Sequence, residues 1–198
     1  MKEALLIFAK NIQYGKVKTR LAATIGNEQT LFIYRQLIAH TISVTKDLSV
    51  DKIVFYSDSI NEKDDWENKI YQKELQSGKD LGERMKNAFK SSFTAGFEKI
   101  VIIGTDCFEL DSEHLINAFK QLNNADVVIG PATDGGYYLL GMKKFYPEFF
   151  ENIDWSTEKV FKQTFSICEQ LYLSVFLLPE LSDIDNEEDL KKSRHYFL

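Results

Sequence analysis

The sequence predicts a three-layer α/β domain built on a mostly parallel, mixed sheet, and three observations carry that prediction. Apolar runs without alternation, above all Ala4–Ala9 and Lys99–Gly104, suit strands buried on both faces. Segments with helical spacing lie between such runs, the pattern of a layered α/β domain. Two strands, Asp126–Gly130 and Tyr137–Gly141, flank the turn at Asp134-Gly135-Gly136 closely enough to bring some antiparallel pairing into the second half.

In chain order, Ala4–Ala9 is the first strand, followed by a polar loop containing Gly15. From Asn27, a candidate N-cap, the residues Leu31, Tyr34, Ile38 and Ile42 share a helical face. Lys52–Ser57 is the second strand. Residues 62–79 are polar, with a short helix expected near Trp66 and a short strand near Ile70–Leu75. Asp80 caps a helix whose inward face is Leu81, Met85, Ala88, Phe89 and Phe93. After the Lys99–Gly104 strand, Asp111 or Ser112 caps a helix with Leu115, Ala118, Phe119 and Leu122 inward. Thr157–Gln170 reads as a helix, Leu173–Leu177 as a strand, and Asn186–Arg194 as a last short helix.

With 44% hydrophobic residues and only three prolines, the 198 residues form one expected domain, 1–198, with no linker or internal repeat. A net charge of -6 argues against a protein that coats a nucleic acid polymer, which requires a broad basic face. Cys107 and Cys168 match no metal spacing and are too few for a disulfide framework, so reduced thiols in a cytoplasmic protein are expected. No apolar run reaches the length of a membrane span. The three histidines, His40, His114 and His195, all fall in helical segments and offer no zinc or triad spacing.

Against that acidic background, no Asp or Glu occurs between Glu3 and Glu28, while Lys10, Lys16, Lys18 and Arg20 do. In parallel α/β sheets ligands collect outside the carboxyl ends of the strands, where this loop, Ser57-Asp58, Thr105-Asp106 and Pro131–Gly136 would converge. Gly15 allows close backbone approach, and Lys18 and Arg20 reach one side if the loop is extended, a diphosphate cradle or else a solvated basic loop. Arg84, on the helix after Gly78, can hold an anion. Asp106, directly after a buried strand, can bind a metal that bridges a diphosphate, or cap the following turn. Asp183 and Asp185 point to one side of an extended segment and can complete an oxygen site for Mg²⁺ or Mn²⁺. Asp111, Glu113, Glu187, Glu188 and Asp189 read as caps and first-turn charges. Asp134-Gly135-Gly136 is either a hairpin turn or an acceptor region with Asp134 as general base. Trp155-Ser156-Thr157 is read first as a packed indole and an N-cap.

Taken together, Phe-Ala-Lys, Gly-Lys-Val-Lys-Thr-Arg-Leu, Asp-Leu-Gly-Glu-Arg-Met, Ile-Gly-Thr-Asp-Cys, Gly-Pro-Ala-Thr-Asp-Gly-Gly-Tyr-Tyr-Leu-Leu-Gly and Trp-Ser-Thr, in that order, resemble one family. It is the small bacterial GT-A-fold glycosyltransferases, some associated with arsenosugar biosynthesis. The wider nucleotide-diphospho-sugar transferase superfamily includes the molybdenum-cofactor and 2-phospho-lactate guanylyltransferases, whose ends are similar to Ser-Asp-Ile-Asp-Asn-Glu-Glu-Asp-Leu here.

The resemblance spans about residues 5 to 190 and implies a Rossmann-like (GT-A) domain that binds a nucleotide through a divalent cation, Mg or Mn. It places Lys18 and Arg20 in the phosphate loop, Asp106 and Asp183 or Asp185 at the acidic positions, and Asp134, Gly135 and Gly136 in the acceptor region. The chain departs from relatives at Asn11-Ile12, where a proline is common after the Asn-like position, and at Cys107-Phe108, where Phe108 replaces a proline.

The expectation is a transferase using a nucleotide-activated donor. As a glycosyltransferase it would act from a nucleotide-sugar on a small acceptor. Lys10, Gly15, Lys18, Arg20 and Arg84 would hold phosphates, Asp134 and Lys18 would serve the chemistry, and Gly135, Gly136, Tyr137 and Trp155 would meet the acceptor. The alternatives are a nucleotidyltransferase acting from an NTP with release of pyrophosphate, and a nucleotide-binding protein without turnover.

Overall fold

A computed structural model of the protein describes residues 2–193. Arg194 and His195, which the sequence assigns to the last helix, lie outside the described residues. The strands are β1 (Glu3–Ala9), β2 (Asp51–Tyr56), β3 (Tyr71–Leu75), β4 (Lys99–Ile103), β5 (Val127–Pro131), β6 (Tyr137–Met142) and β7 (Val175–Leu177). The helices are α1 (Thr19–Ile25), α2 (Asn27–Thr45), α3 (Leu81–Thr94), α4 (Ser112–Gln121), α5 (Val160–Gln170) and α6 (Glu187–Lys192), with a 3₁₀ turn at Pro147–Phe150.

The strands form one sheet in the order β3-β2-β1-β4-β6-β5-β7. β6 runs antiparallel to both β4 and β5, and the other pairings are parallel. Alternate residues of the central strands feed two cores. One side packs Leu5, Ile7, Val101 and Ile103 with Leu21, Tyr34, Leu37 and Leu115 from α1, α2 and α4. The other packs Ala4, Leu6, Ile100 and Ile102 with Met85, Phe89 and Cys168 from α3 and α5. A strand that supplies both layers cannot alternate polar and apolar residues, which is why β1 and β4 read as unbroken apolar runs.

Register brings the loops to one edge. Ala9 pairs with Tyr56 and Ile7 with Ile103, so the chain leaves β1, β2 and β4 at similar heights. The segment after β7 closes over the same edge through Leu178 N–H to the Ile129 carbonyl (2.9 Å), Leu181 N–H to Pro131 (3.1 Å) and Ile184 N–H to Asp106 (2.9 Å).

Several local expectations need correction. Gly26, with φ 83°, is the N-cap of α2 and Asn27 is its first residue. Trp66 lies in turns, not in a helix, and packs edge-on against Tyr71. Leu81 is exposed at the start of α3 and faces outward into a cleft. α5 begins at Val160 after Lys159, so Thr157 is not its cap; the Thr157 hydroxyl donates instead to the Asp154 carbonyl (2.7 Å). β7 is shorter than the Leu173–Leu177 expected.

Candidate active site

A cleft of about 700 Å³ opens at the carboxyl edge of the sheet, and most of the residues singled out in the sequence line it. Its β1 flank carries Lys10, Lys18 and Arg20; Arg84 enters from α3; Asp106 follows β4; Asp183 and Asp185 come from the closing segment. Asp134, Gly136, Tyr137, Trp155 and Glu158 form the opposite flank. Gly15 and Gly135 do not line the cleft. Gly15 sits in an exposed turn, and Gly135 acts from behind, as described below.

The loop after β1 is fixed by its neighbours. The Lys10 N–H donates to the Tyr34 hydroxyl (3.0 Å) and that hydroxyl donates to the Lys10 carbonyl (2.9 Å), tying the strand end to α2. Asn11 reaches the loop after β2, donating to the Ser59 carbonyl (2.7 Å) and accepting from the Asp58 N–H (2.9 Å). Gln76 donates to the Phe55 carbonyl (2.9 Å) and accepts from Arg84 Nη1 (3.3 Å), while Arg84 Nε donates to the Gly78 carbonyl (3.2 Å).

Lys18 and Arg20 do not share a side of an extended loop. Lys18 adopts a left-handed backbone (φ 46°, ψ 50°) as the N-cap of α1, and Arg20 is already in that helix. The turn sends the Lys18 ammonium inward, 2.9 Å from Asp106 Oδ2 and 2.6 Å from Asp185 Oδ1. Its side chain is 6% exposed, whereas those of Asp106 and Asp185 are 39% and 42% exposed. The ammonium therefore lies beneath two carboxylates that still face the cleft. Arg20 and Lys10 remain exposed.

Burial alone would lower the Lys18 pKa, but Asp106 and Asp185 outweigh it and hold the amine firmly protonated. Burial likewise pulls the Asp185 carboxyl up, and Lys18, assisted by Arg20 and Lys10, brings it below the usual carboxylate range. Asp183 is the opposite case. Burial, and then the neighbouring Asp106 charge, push it up to about 7 against the pull of Lys18. Among the described residues no group donates a hydrogen bond to the Asp183 carboxyl.

The donor set here is all carboxylate oxygen, the chemistry that suits Mg²⁺ or Mn²⁺, with the Lys18 ammonium already standing as a cation between two of the groups. Asp106, Asp183 and Asp185 thus fit a divalent ion in kind. Among the described residues, however, no three His, Cys, Asp or Glu side chains are drawn together closely enough to hold one unaided.

On the opposite flank, Asp134 braces the turn and also lines the cleft. Its Oδ1 accepts from the Gly136 N–H (2.8 Å), bracing the turn, and the side chain is exposed to the cleft. Gly135 has φ 86°, and a Cβ there would stand 2.2 Å from the Glu158 carbonyl oxygen and 2.6 Å from its Cα. The Phe161 N–H donates to the Gly135 carbonyl (2.9 Å). Gly135 therefore lets the 155–160 segment lie against the turn. Trp155 reaches over Gly82, where a Cβ would come within 2.0 Å of its Nε1. The indole is partly packed, as the sequence suggests, and also forms cleft wall.

Asp111 caps α4 in a reciprocal pair with His114, and Asn186 with Asp189 does the same for α6. His40 Nε2 lies 2.7 Å from the Leu110 carbonyl and the ring stacks on Phe108. Both cysteines are free and buried, and burial pushes the Cys168 thiol up to about 12. Among the described residues no helix is long and apolar enough to cross a membrane.

Tyr34, Gln76 and Glu158 are polar cleft residues that the sequence does not mark as site residues. Tyr34 was visible as a core position, but nothing in the pattern marks its hydroxyl. Gln76 lies in a polar stretch with no periodicity. Glu158 follows the Trp-Ser-Thr motif and had no signal of its own.

Residues 40–157, more than half of the chain, match the family described as uncharacterized protein conserved in bacteria, DUF2064. The chain belongs to that family. Among solved structures, this DUF2064 protein is similar to a candidate nucleotide-diphospho-sugar transferase from Desulfovibrio desulfuricans G20. The TM-score is 0.87 at 33% identity, covering 96% of this chain and 85% of that one. CMP:2-keto-3-deoxy-manno-octonic acid synthetase complexed with CTP gives a TM-score of 0.59 at 8% identity, with 100% and 98% covered. Rv0371c from Mycobacterium tuberculosis H37Rv, in complex with manganese, gives 0.59 at 10% identity, with 97% of each chain covered. These last two share the fold of the DUF2064 chain. No curated protein matches the sequence.

Proposed function

We propose that the protein is a divalent-metal-dependent glycosyltransferase acting from a nucleotide-sugar on an acceptor hydroxyl. The observation that carries this reading is the division of charge across one cleft. Exposed Lys10 and Arg20 stand on the β1 flank beside the acidic trio, while the Asp134–Glu158 flank presents carboxylates and an indole. The first arrangement suits a donor diphosphate, and the second suits the hydroxyls of a sugar-like acceptor.

Asp106, Asp183 and Asp185 would hold the cation, Mg²⁺ or Mn²⁺, which when bound neutralises charge on the departing diphosphate. Lys10 and Arg20 bind the same phosphates. Asp134 accepts the proton of the attacking hydroxyl at the oxygen not used by Gly136 N–H. The hydroxyl oxygen bonds to the anomeric carbon, and the bond from that carbon to the diphosphate oxygen breaks, its electron pair leaving with the nucleoside diphosphate. Trp155 supplies an apolar face for a sugar ring.

Nucleotidyl transfer is the second reading, favoured by the likeness of fold to a synthetase complexed with CTP. With a phosphorylated acceptor, an acceptor phosphate oxygen bonds to the α-phosphorus of the NTP and the α–β phosphoanhydride bond breaks, releasing pyrophosphate. A phosphorylated acceptor calls for a cation on the acceptor flank, and among the described residues no Lys or Arg lines it around Asp134 and Glu158.

The test is a screen of nucleotide-sugars and NTPs, each with and without Mn²⁺, followed by thermal stability and product release. Stabilisation by a UDP- or GDP-sugar with release of the nucleoside diphosphate supports glycosyl transfer. Pyrophosphate release from an NTP moves the assignment to nucleotidyl transfer, and binding without turnover of either kind leaves a nucleotide-binding protein.

A further inference from the structure

We infer that Lys18 makes cation binding in this cleft dependent on the donor, by acting as a resident counter-charge to Asp106 and Asp185. This rests on the proposed metal–diphosphate site and adds a rule for how it fills.

Lys18 was expected to grip phosphate, yet its ammonium is committed elsewhere. It sits within 3 Å of both carboxylates, nearly without solvent contact, on a backbone turn that few residues other than glycine adopt. The left-handed turn directs the chain from the β1 loop into α1 and sends the side chain under the acidic pair. A conformation that costs free energy persists only where its surroundings fix it, and here the two ion pairs do so.

The electrostatic consequence has a definite sign. Asp106 and Asp185 alone would present two negative charges to an approaching cation, but with Lys18 between them they present a net of one. An ammonium this close repels a divalent ion that takes the outer oxygens of the same carboxylates. Asp183 stands in the same cleft, but among the described residues no three carboxylates are drawn together closely enough to hold a cation unaided. A diphosphate bound by Lys10 and Arg20 brings the missing negative charge and oxygen ligands. The cation and the donor's phosphates then strengthen each other's binding, and by linkage each does so by the same factor.

This assigns the three cations of the β1 flank to different tasks. Lys10 and Arg20 meet the donor, and Lys18 is a positioning and coupling residue that need not touch it.

The experiment measures protein-bound Mn²⁺ by ultrafiltration for the full chain and for Lys18→Met, alone and with inorganic pyrophosphate. The parent is expected to hold Mn²⁺ weakly by itself and about tenfold or more tightly with pyrophosphate. Lys18→Met is expected to hold Mn²⁺ about tenfold more tightly than the parent without pyrophosphate, and to gain less from adding it. Equal Mn²⁺ affinities for the two proteins in the absence of pyrophosphate overturn the inference, and leave the proposed function standing if both bind Mn²⁺ with pyrophosphate. Should Lys18→Met fail to fold, the parent decides alone: Mn²⁺ bound as tightly without pyrophosphate as with it overturns the inference. If neither protein holds Mn²⁺ under any condition, the metal-dependent reading of the cleft fails with it.

Discussion

The two flanks of the cleft meet charge on opposite terms. On the β1 flank a lysine is buried and kept protonated by two carboxylates, and the surrounding loop is tied by Tyr34 and Asn11. On the other flank Asp134 and Glu158 are exposed, and among the described residues neither forms an ion pair. Burying a charge demands fixed partners, because an uncompensated buried ion is costly. An exposed carboxylate is hydrated and can wait for its ligand. The difference teaches that the first flank is organised before any ligand arrives, whereas the second is held in shape by backbone packing and leaves its polar groups available.

The largest expected effect tests that backbone packing. Gly135→Ala should cost about 3–5 kcal/mol in urea unfolding, from a left-handed backbone plus overlap with Glu158. Gly26→Ala is the control: nothing lies within 4 Å, so only its positive-φ backbone (φ 83°, ψ 160°) is strained, at about 1–3 kcal/mol. Equal costs would show that the contact with Glu158 does not hold the flank.

Next comes the acidic centre. Asp106→Asn should lower turnover about 100-fold or more on whichever nucleotide-sugar the screen identifies. A change of less than about threefold in kcat/KM would remove Asp106 from the cation site.

Asp183 separates stability from ligand binding. Its folded-state pKa of about 7 lies above the ordinary carboxylate value, so the folded protein holds this proton more tightly than the unfolded chain. Ionising it therefore removes stability as pH rises from about 4 to about 7, and the loss is complete above that window. Asp183→Asn should flatten this slope and be more stable than the parent at pH 8, by roughly 1–3 kcal/mol. Melting temperatures at pH 5 and pH 8 check it, and parallel slopes for the two proteins would assign the effect to another group.

The smallest effect probes the tied loop. Tyr34→Phe removes the hydroxyl that serves both the N–H and the carbonyl of Lys10, and should cost about 1–2 kcal/mol in denaturant unfolding. An unchanged midpoint would mean that the β1 flank is organised without this link.

How much of this could be read beforehand follows from which interactions leave a local trace. β1, β4 and the β5–β6 pair announce themselves by composition, because a strand covered on both faces has no room for polar residues. α3, α4 and α6 carry their caps in the sequence at Asp80, Asp111 and Asn186. α1 was missed because Lys18, Thr19 and Arg20 look like more of a charged loop, and the left-handed turn that starts the helix falls on a lysine rather than a glycine. The convergence of Lys18, Arg20 and Asp106 on one cleft was legible from their places after strands, whereas Asp183 and Asp185 were marked only by two carboxylates on one side of an extended segment. The fate of the Lys18 ammonium was not legible. Its partner Asp185 lies 167 residues away, and no local pattern encodes such a pairing.

That separation has a consequence for how the protein comes into being. Among the described residues all seven strands are complete by Leu177, yet both Asp183 and Asp185 lie in the segment that straps across the sheet edge afterwards. As the chain emerges from its N-terminus, the β1 loop and Asp106 can be in place well before their last partners exist. A protein cut after Leu177 would keep every strand and leave Lys18 with Asp106 alone. Competence would thus follow the sheet in synthesis, and a nascent chain would carry the scaffold of the cleft before it could take up a charged ligand.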